Sequence, residues 1–256
     1  MRPLLSLVRR EFAAYFFSLI GFVAITVFLI FTGLLFAFYP LAGLTDSGPQ
    51  GVEDPMQSLI GHELFWLVFA FILPLLTMRL LAEERATGTL EMLLTAPIRD
   101  WQVVAGKYLG AVLFYLVMWL PTLAYVPILV GLDFETGETK IDPAPVVTTA
   151  VGVVLVGGMF LAIGLFVSSL VRSQLVAALI ALVFSLAFVV IDFLQPFLDP
   201  NAGVAKVVNY LSVPEHFRRD FTRGVIDTRH VVLYLSVTAF SLFLTVRSLE
   251  ARRLRA

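Results

Sequence analysis

Apolar positions are not scattered along this chain. They fall in long uncharged runs at 16–39, 64–78 (continuing past Arg79 to 82), 108–132, 144–171, 173–191 and 231–246. About 20 consecutive apolar residues cross a hydrocarbon core of about 30 Å. The pattern therefore predicts six membrane-spanning helices, over 16–39, 64–82, 107–132, 145–170, 174–192 and 230–248. The second and sixth runs are short, and Arg79 and Arg247 extend them by carrying their charges to the headgroups along apolar stems. Only Arg172 parts the fourth run from the fifth. A single helix over both would be about 70 Å long at ~1.5 Å per residue, so 168–174 is read as a hairpin tip. The fold class expected is an all-α polytopic membrane protein, one membrane domain over 1–256.

Shorter periodic segments lie between the spans. Residues 3–14 read as an amphipathic interfacial helix, with Leu4, Leu5, Val8 and Phe12 on one side and Arg9, Arg10 and Glu11 between or opposite. In 203–224, Val204, Val207, Val208 and Leu211 share one helix face. Ser212 and Glu215 then have capping-box spacing, Val213, Phe217 and Phe221 recur every four residues, and Gly224 offers a C-cap. Two short helices are expected there. The loop 83–106 carries a helix signature of its own: Thr87 or Thr89 as N-cap, Glu91 at the positive end of the dipole, and a stripe of Leu90, Leu93 and Leu94 that stops at Pro97. Asp100 caps the third span, with Trp101 at the interface. By physics alone the 87–97 helix either rests on lipid or transmits force from a soluble partner.

Composition agrees with the hydropathy pattern. Of 256 residues 59% are hydrophobic and 14% charged, against about 25% charged in soluble domains, and the mean hydropathy is +0.92. A net charge of -1 gives no basic surface for nucleic acid. Charge location sets the orientation. Arg2, Arg9 and Arg10, then Arg79, Arg85, Arg99 and Lys107, then Arg172, then Arg247, Arg252, Arg253 and Arg255 fall on one side. The first and third loops hold mostly acids, Asp46, Glu53, Asp54, Asp133, Glu135, Glu138 and Asp142. Both termini are expected in the cytosol. The 193–229 loop carries Lys206, Arg218, Arg219, Arg223 and Arg229 on the other side, where longer loops follow the rule less strictly.

Candidate chemistry is sparse. With no cysteine there are no disulfides or thiolate sites. His62, His216 and His230 make no H-E-x-x-H pair, and no G-x-S-x-G is present. Gly106-Lys107 is followed by tyrosine and lacks the rest of a phosphate-binding loop. Neither catalysis nor ATP binding is expected of this chain; ATP and its Mg2+ would belong to another. No charge falls near an expected midplane, which disfavours an ion-coupled carrier.

The stretch RLLAEERATGTLEMLLTAPIRDWQVVAGK resembles the loop after the second span of ABC-2 type permeases, the membrane subunits of a class of ABC exporters. Glu84, Gly88, Thr89, Glu91, Leu93, Leu94 and Pro97 match that family's E-x-x-x-G-T-x-E-x-L-L-x-x-P-like pattern. The likeness runs along nearly the whole chain, through the Val171-Arg172-Ser173-Gln174 tip to the stretch PEHFRRDFTRGVIDTRH and the final span. In that final region it is similar to the gliding-motility permease GldF and the NosY-like permeases. The resemblance implies a coupling helix at Thr87, Gly88, Thr89, Leu90, Glu91, Leu93, Leu94 and Pro97, preceded by Glu84, that docks on a soluble ABC ATPase, with Arg172 as a second contact. It implies a dimer with a second copy or a related permease, in a bacterial inner membrane. Two alternatives stand beside export: a mechanotransmission subunit acting on an extracytoplasmic partner without passing cargo, and an ATP-independent carrier.

Overall fold

The computed structural model describes residues 2–38, 55–89, 98–128, 143–197 and 203–253, and every regular element among them is helical. The N-terminal helix α1 (Arg2–Phe16) bends at Phe17 and Ser18 into α2 (Leu19–Phe36). Then come α3 (Pro55–Ile60), α4 (Glu63–Thr77), the short α5 (Ala82–Ala86) and α6 (Asp100–Trp119), which a 3₁₀ turn over Leu120–Ala124 prolongs. The chain goes on through α7 (Pro143–Leu170), α8 (Gln174–Val190) with a 3₁₀ turn over Ile191–Phe197, α9 (Gly203–Leu211), α10 (Val213–Arg219) and α11 (Thr228–Arg253).

Among the described residues, five helices are long and apolar enough to cross a membrane: Leu19–Phe36, Asp100–Ile128, Pro143–Leu170, Gln174–Gln195 and Thr228–Arg253. Helix α4 is equally apolar but has 15 residues, about 22 Å of helix. The span expected over 64–82 is thus cut short at Thr77. The chain turns over 78–81 and restarts as α5, because Ser168 of α7 takes up the backbone groups released there.

Helix α7 is the axis of the bundle. Val156, Met159, Leu161, Ala162 and Leu165 are all fully enclosed, and α4, α6, α8 and α11 pack around it. Helix α8 shows the opposite arrangement, burying only Ala177, Ala181, Ser185 and Val189, one residue per turn. Its Leu175, Leu179, Val183 and Phe184 are exposed, as befits a helix whose other faces meet lipid.

The two ends of the bundle differ. At one, α1, α5, the start of α6 and the α7–α8 tip meet, and Arg253 at the end of α11 reaches Asp100 at 3.4 Å. At the other, α3, α9, α10 and the 3₁₀ turns gather. There Thr148 and Thr149 of α7 donate to the Phe221 carbonyl at 2.6 and 3.1 Å. Asp192 accepts from Ser212 at 2.6 Å and Gln195 at 2.8 Å and pairs with Arg218. Ser212 also accepts from the Glu215 N–H at 3.4 Å, opening α10, and Gly224 follows with φ +81°.

Helix α1 does not lie freely on a surface. Leu7, Glu11 and Tyr15 form its buried stripe against α6, where Gly106 and Gly110 permit close approach. A Cβ on Gly106 would stand 2.6 Å from Leu7, and one on Gly110 2.7 Å from the Glu11 Cβ. Glu11, expected on the polar side, is therefore inside.

Candidate functional site

The end of the molecule where α1, α5, α6 and α7 converge holds Glu84, Gly88 and Thr89 of the matched residues and a network of charges. Helix α5 reads AEERA, five residues that cannot sustain a helix unaided because nucleation costs more than so few bonds return. Three other helices hold it. Ser168 Oγ accepts from the N–H groups of Leu81 at 3.1 Å and Ala82 at 2.9 Å, and donates to the Met78 carbonyl at 3.2 Å. An α7 side chain thus caps α5 from outside. In return Arg85 donates to the carbonyls of Ser169 and Val171, both at 2.8 Å, satisfying the negative end of α7. Burial, followed by the nearness of Arg252 and Arg172, lowers the pKa of Arg85 from its ordinary value.

Glu84 projects from α5 onto Lys107, whose ammonium is 2.8 Å away and whose side chain is 2% exposed. Glu11 of α1 takes the same ammonium at 3.2 Å. Arg10 closes the group at 2.8 Å from Glu11 and 3.3 Å from Glu84, and its pKa is raised by the Glu11 hydrogen bond and by both carboxylates despite partial burial. Two acids and two bases from α1, α5 and α6 thus form one ion cluster. Beside it, Arg79 donates to the Ala14 carbonyl at 3.1 Å and lies 5.2 Å over the Tyr15 ring. Tyr15 donates to the Leu76 carbonyl at 2.7 Å, and burial pushes its phenol pKa up. A cavity of about 330 Å³ opens among Arg10, Glu11, Tyr15, Arg79, Glu84 and Lys107.

Of the residues singled out in the sequence, Glu84 is turned to Lys107 and Arg10, since a buried ammonium needs counter-charges within the chain. Thr87 ends α5, its hydroxyl donating to the Glu83 carbonyl at 3.0 Å and lying 2.9 Å from that of Thr89. Its hydroxyl is thereby engaged behind it. Gly88 at φ 74° reverses the chain, a conformation glycine takes without cost, and the backbone is helical again at Thr89. Thr87, Gly88 and Thr89 are exposed, and Arg172 is exposed at the α7–α8 tip. Leu90, Glu91, Leu93, Leu94 and Pro97 lie outside the described residues. Sequence reasoning misses Lys107 and Glu11 as partners. A lysine two turns inside an otherwise apolar helix and a glutamate midway between Leu7 and Tyr15 are the available signals.

The family profile described as ABC-2 family transporter protein matches residues 7–246. The chain belongs to that family. No curated protein matches it. As an ABC-2 family member with several apolar spanning helices, it is a multi-pass membrane permease subunit of an ABC transporter, of a family that does no chemistry itself and associates with ABC ATPase subunits. In this permease α5 is fastened to α1, α6 and α7 by Glu84, Arg85 and the Ser168 cap.

Proposed function

We propose that this permease couples ATP hydrolysis in a separate ATPase chain to export across the membrane, through the segment 87–97. The observation that carries the reading is the attachment of α5. Ser168 and Arg85 fasten it to α7, and Glu84 fastens it to α6 and α1. A push on 87–97 is thus delivered to three helices at once. Leu90, Leu93 and Leu94 fill an apolar groove on the ATPase, Glu91 meets a base there, and exposed Arg172 at the α7–α8 tip makes the second contact. In this reading α4 completes six spans, α1 and both termini are cytosolic, and the membrane is the bacterial inner membrane. Two copies of the permease, or this chain with a related one, stand over two ATPases that hold ATP and Mg2+. In this reading the chain belongs to the branch of GldF and the NosY-like permeases, which the likeness of its final region supports.

A second reading rests on α7, which bonds to α5 at one end through Ser168 and to the Phe221 carbonyl at the other through Thr148 and Thr149. A helix so anchored can carry motion to an extracytoplasmic partner with no cargo passing.

The test is the double substitution Leu93→Asp and Leu94→Asp. Membrane insertion is expected to be unchanged, while recovery of the ATPase in a mild-detergent pull-down and permease-stimulated ATP hydrolysis are lost. Unaltered stimulation would sink the assignment.

A further inference from the structure

At the other end of the bundle a group of side chains is left over by the coupling reading. Asp220 ends α10, Asp227 precedes α11, and His230 lies in the first turn of α11. Gly224 at φ +81° folds the chain back, with the Val225 N–H donating to the Asp220 carbonyl at 3.1 Å. One donor atom from each of Asp220, Asp227 and His230 then lies within 4.8 Å of the other two. His230 Nε2 is 2.9 Å from Asp220 Oδ2. Asp227 Oδ1 accepts from the Arg229 N–H at 2.8 Å, which holds that carboxylate in place.

The surroundings fix these donors without neutralising them. The His230 ring stacks on His216 with centroids 3.6 Å apart. Both His216 nitrogens are engaged, with the Tyr234 hydroxyl at 2.7 Å and the Asn209 carbonyl at 3.2 Å, so His216 serves as a wall. The neighbouring Arg218 and Arg219 are drawn to Asp192 and Glu215. Among the described residues no lysine or arginine pairs with Asp220 or Asp227, and the imidazole of His230 is their shared neighbour. Two carboxylates and one imidazole, half-buried and short of positive charge, make a donor set for a divalent cation. Bonds of about 2.0–2.2 Å from one ion hold tetrahedral donors about 3.3–3.6 Å apart, so the ion opens the 2.9 Å contact between His230 and Asp220 and draws in any wider pair of the group. The nitrogen donor favours a borderline transition metal over the all-oxygen shells of Ca2+ and Mg2+.

We propose that Asp220, Asp227 and His230 bind one divalent transition-metal cation, Zn2+ in preference to Ca2+ or Mg2+, and that the ion clamps the turn after α10 to the start of α11. The proposal does not depend on the coupling role of 87–97. The experiment uses the full chain, purified in detergent with a tag free of histidine and stripped with a chelator. Zn2+ is titrated in competition with a chromophoric chelator, on the parent chain and on His230→Gln and Asp227→Asn, each checked for an unchanged helical spectrum. The expected result is one Zn2+ per chain. Loss of an outer partner of a metal ligand already costs about 10–100-fold in affinity, so each ligand substitution is expected to weaken binding by at least ~100-fold. Co2+ added to the parent chain should give the visible absorption of a low-coordinate nitrogen–oxygen site, a readout that needs no variant. Absence of stoichiometric Zn2+ binding by the parent chain, or undiminished binding by both variants, overturns the proposal.

Discussion

Replacing Lys107 by methionine is the sharpest probe of how α5 is held. The change keeps the length and apolar stem of the side chain and removes one charge. What remains is Glu11 and Glu84, which share that ammonium at 3.2 and 2.8 Å, facing each other with Arg10 alone to balance them. The Arg10 side chain is 58% exposed, so water and salt screen it. Removing one partner of a buried pair strands the other charge and costs about 3–5 kcal/mol. Lys107→Met is expected to cost that much in a detergent unfolding titration followed by far-ultraviolet circular dichroism. Glu84→Gln leaves Lys107 with Glu11 but removes the carboxylate's charge from its contacts with Lys107 and with the largely exposed Arg10, and the buried contact to Lys107 dominates the loss, about 1.5–3 kcal/mol. The triple variant with Lys107→Met, Glu11→Gln and Glu84→Gln carries no stranded charge. It should be more stable than Lys107→Met alone, a non-additivity that only groups acting as one network produce. If Lys107→Met lies within about 0.5 kcal/mol of the parent chain, as surface substitutions do, the cluster is not a buried network and the reasoning fails.

Two other substitutions address the same junction. Ser168→Ala removes the acceptor that caps α5, which should cost about 1–2 kcal/mol and reduce permease-stimulated ATP hydrolysis more than a stability change of that size would; Ser168→Thr, which keeps the hydroxyl, should recover part of both. Gly110→Leu places a side chain where α1 crosses α6, and overpacking of this kind costs about 1–3 kcal/mol. The check is limited proteolysis, in which a displaced α1 is cut sooner than in the parent chain.

Much of the architecture is legible in the sequence because the membrane simplifies the code. A run such as 144–171 has one physical solution in hydrocarbon, a helix, since every backbone group must be satisfied within the segment. The family is legible too, in Glu84, Gly88, Thr89 and the residues that follow, and the matching profile covers the same stretch. The polar contacts are what linear reading loses. Lys107 and Glu11 are 96 positions apart, and counting positive charges by loop treats both as solvated. The end of α4 is hidden for the same reason: the apolar run continues to Ala82, and only the Ser168 hydroxyl, from a distant helix, shows why the backbone turns at Thr77. Glu11 sits among arginines in a segment with an apolar side, and nothing local says that a stripe of Leu7, Glu11 and Tyr15 faces inward until Gly106 and Gly110 are set against it.

The cap on α5 also has a consequence for assembly. Leu81 and the hydroxyl that receives its N–H are separated by 87 residues, and the chain emerges from the ribosome at about 5–20 residues per second. For several seconds after α4 is made, the AEERA segment has neither its cap nor the α7 carbonyls that Arg85 will hold. It becomes a helix only once the α7–α8 hairpin has inserted. A truncated or misinserted chain therefore lacks a seated α5, and the order of synthesis itself delays that seating until the central span is in place.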